Sequence, residues 1–189
     1  MSTTQPNRPS LSHMVVNVRD MAATHAFYTE MLGFSQVGQI GEPGTNRDMR
    51  FYQGAGAHHH DIAFVQLFES EAAPPVPDRS ANRASVLVGG DAPGIVHIAL
   101  DYGTREAWLA QVEHLQQNNV EFLVRGNHGM THSVYIADPD GYGIEVLYDL
   151  PRDVWEDDID GALNHFESLP RKGEEALADD TNYPVFGKG

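Results

Sequence analysis

LSHMVVNVRDMAATHAFYTEMLG, residues 11–33, and IVHIALDYGTREAWLAQVEHLQQN, residues 95–118, decide the fold when set side by side. Each opens on a short apolar run that carries one histidine, His13 or His97, and passes into a stretch with helical spacing. In the first, Leu11 to Val18 alternates and holds Val15, Val16 and Val18, which suits a half-buried strand. Asp20 then offers a side chain to the free N–H groups of a helix, and Met21, Ala23, Phe27, Tyr28 and Met31 recur at helical spacing until Gly33 stops it. In the second, Ile95 to Leu100 reads as a strand and Thr104 to Asn118 as an amphipathic helix whose Trp108, Leu109, Val112 and Leu115 share a face. Gly33 lies 20 residues after His13 and Asn118 lies 21 after His97, so one plan is used twice.

Working outward, Phe34 to Ile40, Met49 to Gln53 and Asp61 to Phe68 read as strands separated by glycine-rich turns, which makes the first module β-α-β-β-β. After the second helix, Val120 to Val124, Ser133 to Ala137 and Ile144 to Tyr148 repeat the order, with Asp138-Pro139-Asp140-Gly141 as the turn before the last strand. The expected organisation is a flexible N-terminal arm at 1–10, a first module at 11–70, a linker at 71–94, a second module at 95–149 and an acidic extension at 150–189. Both modules are expected to form one α+β domain. Within the linker Ser85 to Val88 has the composition of a brief edge strand. In the extension Val154 to Phe166 reads as one helix and Gly173 to Gly189 as a loose tail.

Composition narrows the function. Of 189 residues, 27 are acidic and 12 basic, a formal net charge of −15 that opposes binding to nucleic acid or to an anionic membrane face. No cysteine is present, so disulfides, thiolate metal sites and a cysteine nucleophile are excluded, and any metal must be held by nitrogen and oxygen. No signal-like N-terminus and no apolar run of about 18 residues is visible, and the reading is a cytoplasmic protein.

Side chains on a strand alternate between faces, so His97 and Glu145 can share one side of a sheet, and His13 holds the matching place in the first module. Two histidines and one carboxylate with open positions is the facial arrangement of a non-haem Fe(II) site that takes substrate and O2 together. Taken singly, each of these residues has a duller explanation: ten histidines are present, and most histidines are surface or hydrogen-bonded residues.

The stretch Gly126-Asn127-His128, five residues, Val134-Tyr135, two residues, Asp138-Pro139-Asp140-Gly141, three residues, Glu145 resembles the signature of type I extradiol ring-cleavage dioxygenases of the vicinal-oxygen-chelate superfamily. His59-His60-Asp61-Ile62-Ala63-Phe64 and Ile95-Val96-His97-Ile98-Ala99 are similar to that family's acid/base and second-ligand segments. The resemblance implies an open, incompletely closed mixed β-barrel of two βαβββ modules around a metal site. It implies His13, His97 and Glu145 as ligands of Fe(II), with Mn(II) the alternative and O2 the co-substrate. His60, His128 and Tyr135 are implied as catalytic residues, His60 as the acid/base and the others positioning the diol. The implied substrate is a small aromatic diol, catechol or 2,3-dihydroxybiphenyl or a relative, and a homo-oligomer, a dimer, follows the habit of the fold. Better-known members carry four modules, so two would make a one-domain form.

Two other readings stay open on the same fold. A glyoxalase-like lyase or isomerase would add a fourth ligand around Zn or Ni, for which Gln66 or Glu69 is placed. A non-catalytic small-molecule binding protein would dispense with the metal ligands. A serine hydrolase is weaker, since Ser12-His13 and Ser133 lie in no nucleophile-elbow context. Which ring substituents fit depends on the directions of Trp155, Phe166, Met130 and Tyr142, which spacing does not set.

Overall fold

The computed structural model describes residues 10–45, 48–56, 58–67, 79, 81–89, 93–180 and 183–187. Residues 1–9 of the N-terminal arm and half of the linker therefore lie outside the described residues, as does Glu69. The chain forms two compact units, Met1–Ala73 and Pro74–Gly189.

The first unit runs β1 (Met14–Val18), α1 (Met21–Ala26), β2 (Ser35–Ile40), β3 (Met49–Gln53) and β4 (Ile62–Gln66). Asp20 caps α1 as its chemistry predicts, its Oδ1 accepting from Ala22 and Ala23 N–H at 2.9 and 3.0 Å. The helix continues as a π-helical turn, Phe27–Met31, and the chain leaves it through Gly33 at φ +78°. The strands pair in the order β1-β4-β3-β2, with β1 and β4 parallel and the others antiparallel. Tyr28 and Tyr52 pack on Phe64 with ring centroids 4.4 and 5.4 Å apart, all three fully buried with Val18 and Met21.

The second unit begins with α2 (Ser85–Val88) and continues with β5 (His97–Asp101), α3 (Arg105–Gln117), β6 (Val124–Asn127), β7 (Thr131–Ala137) and β8 (Gly143–Asp149). It ends with α4 (Arg152–Trp155), α5 (Ile159–Leu163) and β9 (Glu167–Ser168). Its sheet has the order β5-β8-β7-β6-β9, again with the first pair parallel. The first four places repeat the strand order of the first unit, so the duplication is real at the level of topology. Neither sheet closes into a barrel. Trp108, Val112 and Leu115 of α3 are fully buried, and the Trp108 indole N–H donates to the Val146 carbonyl at 2.9 Å, which fixes α3 over one face of β8.

Four local expectations are corrected. Ser85 to Val88 is a helical turn and not an edge strand. The strand expected at Val120 to Val124 starts at Val124 instead; Phe122 and Leu123 are apolar because they are buried, not because they sit in a ladder. Val154 to Phe166 is broken into α4 and α5, since Asp158 turns its carboxylate to the N–H of Gly161 and starts a new helix. The tail is not loose over its described residues: the side chain of Asp179 is fully buried and takes hydrogen bonds from Arg105, His132 and Tyr148.

Candidate metal and substrate site

Register decides which side chains of the second unit meet. Across the antiparallel pair Tyr135 faces Glu145 and Ser133 faces Leu147, while across the parallel pair His97 is level with Gly143 and Ala99 with Glu145. Alternation then puts Ser133, Tyr135, Glu145 and His97 on one face, and His132, Val134, Val146 and Tyr148 on the other, under α3. Gly143 lets β5 approach: a Cβ there would stand 2.7 Å from the Val96 carbonyl oxygen and 3.1 Å from the Cβ of His97. The turn before β8 is held by Asp138, whose Oδ1 accepts from the N–H groups of Asp140 and Tyr142 at 2.9 and 2.8 Å.

Glu145 is almost fully buried and its two oxygens do different work. Oε1 accepts from the hydroxyls of Ser133 and Tyr135, both at 2.6 Å. Oε2 lies 3.2 Å from Nε2 of His97. The other ring nitrogen of His97, Nδ1, lies 2.7 Å from the carbonyl oxygen of Val86, which can only accept, so Nδ1 carries a proton. An imidazolium would donate its Nε2–H to this carboxylate as an ion pair; in the singly protonated ring the Nε2 lone pair and the carboxylate oxygen are two acceptors pointed at one another. A cation between them resolves that contact, and a backbone carbonyl holding the far N–H is the usual outer support of a histidine ligand. The donor set of His97 and Glu145 thus fits a divalent ion of the nitrogen/oxygen class.

Tyr135 links this pair to His128, whose Nε2 is 3.1 Å from the phenol oxygen. Burial, then the Glu145 charge, pushes the Tyr135 pKa up, so the phenol remains protonated and a donor at neutral pH. Burial lowers the pKa of His128 despite the opposing pull of Glu145, and the ring is neutral at pH 7. Phe166 lies 5.1 Å from the His128 ring.

In the first unit His13 sits immediately before β1 and His60 just before β4, brought together because these strands pair in parallel with Met14 level with Ile62. The rings of His13 and His60 are 4.4 Å apart, those of His59 and His60 4.3 Å, and Phe51 stands edge-on to His60 at 5.0 Å. His13 is exposed and His60 is buried. Burial, followed by the neighbouring His59 and His13, lowers the pKa of His60, so it is neutral at pH 7. Its Nε2 has no hydrogen-bond partner among the described residues.

Gln66, weighed as a fourth ligand, is committed elsewhere. Its Oε1 accepts from Met21 N–H at 2.8 Å and its amide donates to the carbonyls of Arg19 and Leu67. Among the described residues no group of three or more His, Asp or Glu side chains is gathered so as to hold a metal on its own. Two contributors had escaped the sequence reading. Val86 was hidden because its segment looked like a strand, and Ser133 because it falls in an unspecified gap of the signature. Among the described residues no helix is long and apolar enough to cross a membrane.

The chain belongs to the Glyoxalase/Bleomycin resistance protein/Dioxygenase superfamily, whose description matches residues 10–146. It is 23% identical over 151 residues to the catechol-2,3-dioxygenase of Bacillus subtilis (strain 168), which covers 80% of this chain but 45% of that protein. The chain thus spans under half the length of that relative. Among solved structures, a glyoxylase/bleomycin resistance protein/dioxygenase domain from Frankia sp. EAN1pec superposes with a TM-score of 0.58 at 15% identity, covering 76% of this chain and 94% of that one. The lactoylglutathione lyase of Agrobacterium tumefaciens gives 0.51 at 19% identity, covering 75% and 96%. At these identities the structural likeness speaks for the fold alone.

Proposed function

We propose that this protein is an extradiol dioxygenase that opens the ring of a catechol beside the diol, using O2 and Fe(II), with Mn(II) as the alternative ion. His97, Glu145 and His13 are the ligands in this reading. The observation that carries it is the His97–Glu145 pair, with Nε2 3.2 Å from a carboxylate oxygen and Nδ1–H committed to Val86, which sets a nitrogen and an oxygen side by side as ligands for one ion. Fe(II) bound there would supply a template for the two diol oxygens and O2 and a path for electrons between them.

The chain's own residues supply the rest. Ser133 and Tyr135 hold Glu145 by one oxygen, which leaves the other for the ion. Tyr135, kept protonated, and His128, kept neutral, form a hydrogen-bonding pair suited to orienting a diol and its developing charge. His60, a neutral imidazole with an unused Nε2, is suited to take the proton of the incoming diol and return one later. The commitment of Gln66 to α1 counts against a lyase with a fourth ligand at that position.

The test is purification without air, loading with Fe(II), and addition of catechol or 2,3-dihydroxybiphenyl in air while O2 uptake and the yellow ring-opened product are followed together. Stoichiometric uptake with yellow product is expected. Metal-loaded protein that consumes no O2 with either diol would overturn the reading and make glutathione hemithioacetals the next substrates to try.

A further inference from the structure

The C-terminal extension enters the site as a fifth strand. β9 pairs with β6, setting Glu167 level with Asn127 and Ser168 level with Gly126, so the extension is laced to the first residues of the ring-cleavage signature. This delivers Phe166 onto the backbone of Gly126, where an added Cβ would stand 2.4 Å from the Cε2 of the ring. The seat exists because residue 126 has no side chain. Placed there, the ring stands 5.1 Å from His128 at an interplanar angle of 53°, while His128 in turn meets the Tyr135 hydroxyl. Phe166 is nonetheless 47% exposed, and the helix leading into it leaves Ile159 and Leu163 exposed at 49% and 67%. A phenylalanine fixed by its backbone and by the surface beneath it, beside the candidate diol-orienting His128, with ring surface still uncovered, is an unfilled aromatic contact. The segment around it is acidic in sequence, with Glu167 next to it and Asp157, Asp158 and Asp160 ahead of it.

From this arrangement we infer that Phe166 is the specificity-determining wall of the site, and that the substrate is a catechol carrying a neutral apolar substituent, an aryl group above all. The inference rests on the proposed ring-cleavage function. Aromatic contact selects the aryl group, and the chain's formal net charge of −15 disfavours an anionic one such as a benzoate.

The test is equilibrium binding of diols to the full-length Fe(II)-loaded protein without O2, followed by the absorption change of the bound diol, so that binding is separated from turnover. Wild type should bind 2,3-dihydroxybiphenyl at least about tenfold more tightly than catechol, and 2,3-dihydroxybenzoate more weakly than either. Phe166→Ala should lose most of the preference for the biphenyl and leave catechol binding within about twofold. Gly126→Ala, which fills the seat of the ring, should have the same effect with iron content unchanged, and Phe166→Leu serves if that backbone change impairs folding. If wild type binds biphenyl and catechol alike, or if Phe166→Ala weakens both equally or neither, the inference is overturned while the ring-cleavage reading stands. If the iron-loaded wild type binds no diol, it is the ring-cleavage reading that falls.

Discussion

Replacing Asp179 with asparagine should destabilise the second unit by about 3 kcal/mol at pH 7, and the figure follows from what the carboxylate holds. The side chain of Asp179 is fully buried, accepts from Arg105 Nε at 2.8 Å, His132 Nδ1 at 2.7 Å and Tyr148 hydroxyl at 2.8 Å, and lies 3.8 Å from Arg125. Arg125 is itself only 2% exposed, so Asp179→Asn keeps the shape but strips the counter-charge from a buried cation. Removing one partner of such a pair costs roughly 3–5 kcal/mol. The low end applies because Arg125 keeps its hydrogen bonds to the Pro170 and Ala178 carbonyls and its position over the Trp108 ring. At 2–4 °C per kcal/mol for a chain of this size, Tm should fall by about 6–12 °C. Trp108, buried beside the cluster, reports the transition by fluorescence in urea or on heating. The pH dependence has a definite sign. Burial alone would raise the Asp179 pKa, but the hydrogen bonds from His132, Tyr148 and Arg105 outweigh it and hold the pKa below the usual carboxylate range. Its stabilisation is therefore complete above the unfolded value of about 3.9 and is lost as pH falls through the folded value. The gap between wild type and Asp179→Asn should close as pH drops below about 4. A difference under about 1 kcal/mol at pH 7, or one that persists undiminished in acid, would refute the reasoning.

Glu145→Gln should weaken Fe(II) binding by more than about 100-fold in an anaerobic metal titration, whereas Ser133→Ala, which removes only an outer hydrogen bond to Oε1, should cost about tenfold. Equal losses would show that Glu145 is not a ligand. His60→Ala should retain metal and diol binding while turnover falls by about 10²-fold to 10⁴-fold, and an unchanged rate would end its acid/base assignment. Gly143→Ala should lower stability by about 1–3 kcal/mol and weaken metal binding as well, because the added methyl pushes β5 away from β8 at the level of His97. Full metal affinity in a destabilised Gly143→Ala protein would dissociate the strand spacing from the site.

The sequence by itself determined the repeat, the nitrogen/oxygen character of any metal site and four of the residues gathered in the second unit, His97, His128, Tyr135 and Glu145. Periodicity reports burial, so β1, with Val16 and Val18 buried, and α3, with Trp108, Val112 and Leu115 buried, could be placed from apolar spacing. Met49 to Gln53 fell on the strand as observed, and Asp20 at the cap of the first helix was legible from its carboxylate chemistry. The signature from Gly126 to Glu145 was readable because strand register is a counting rule: ten residues and one turn separate Tyr135 from Glu145, and pairing brings them level.

Only the tertiary structure decided the rest. The Val86 carbonyl that fixes the tautomer of His97 belongs to a helical turn 11 residues away, and no side-chain pattern announces a backbone acceptor. Phe166 reached His128, and Asp179 reached Arg105 and His132, across 38 to 74 positions of sequence. An acidic tail reads as solvated because isolated carboxylates are costly to bury. It folds back here because Arg105, His132 and Tyr148 converge on one point, and that convergence is a property of packing that no local window of sequence contains.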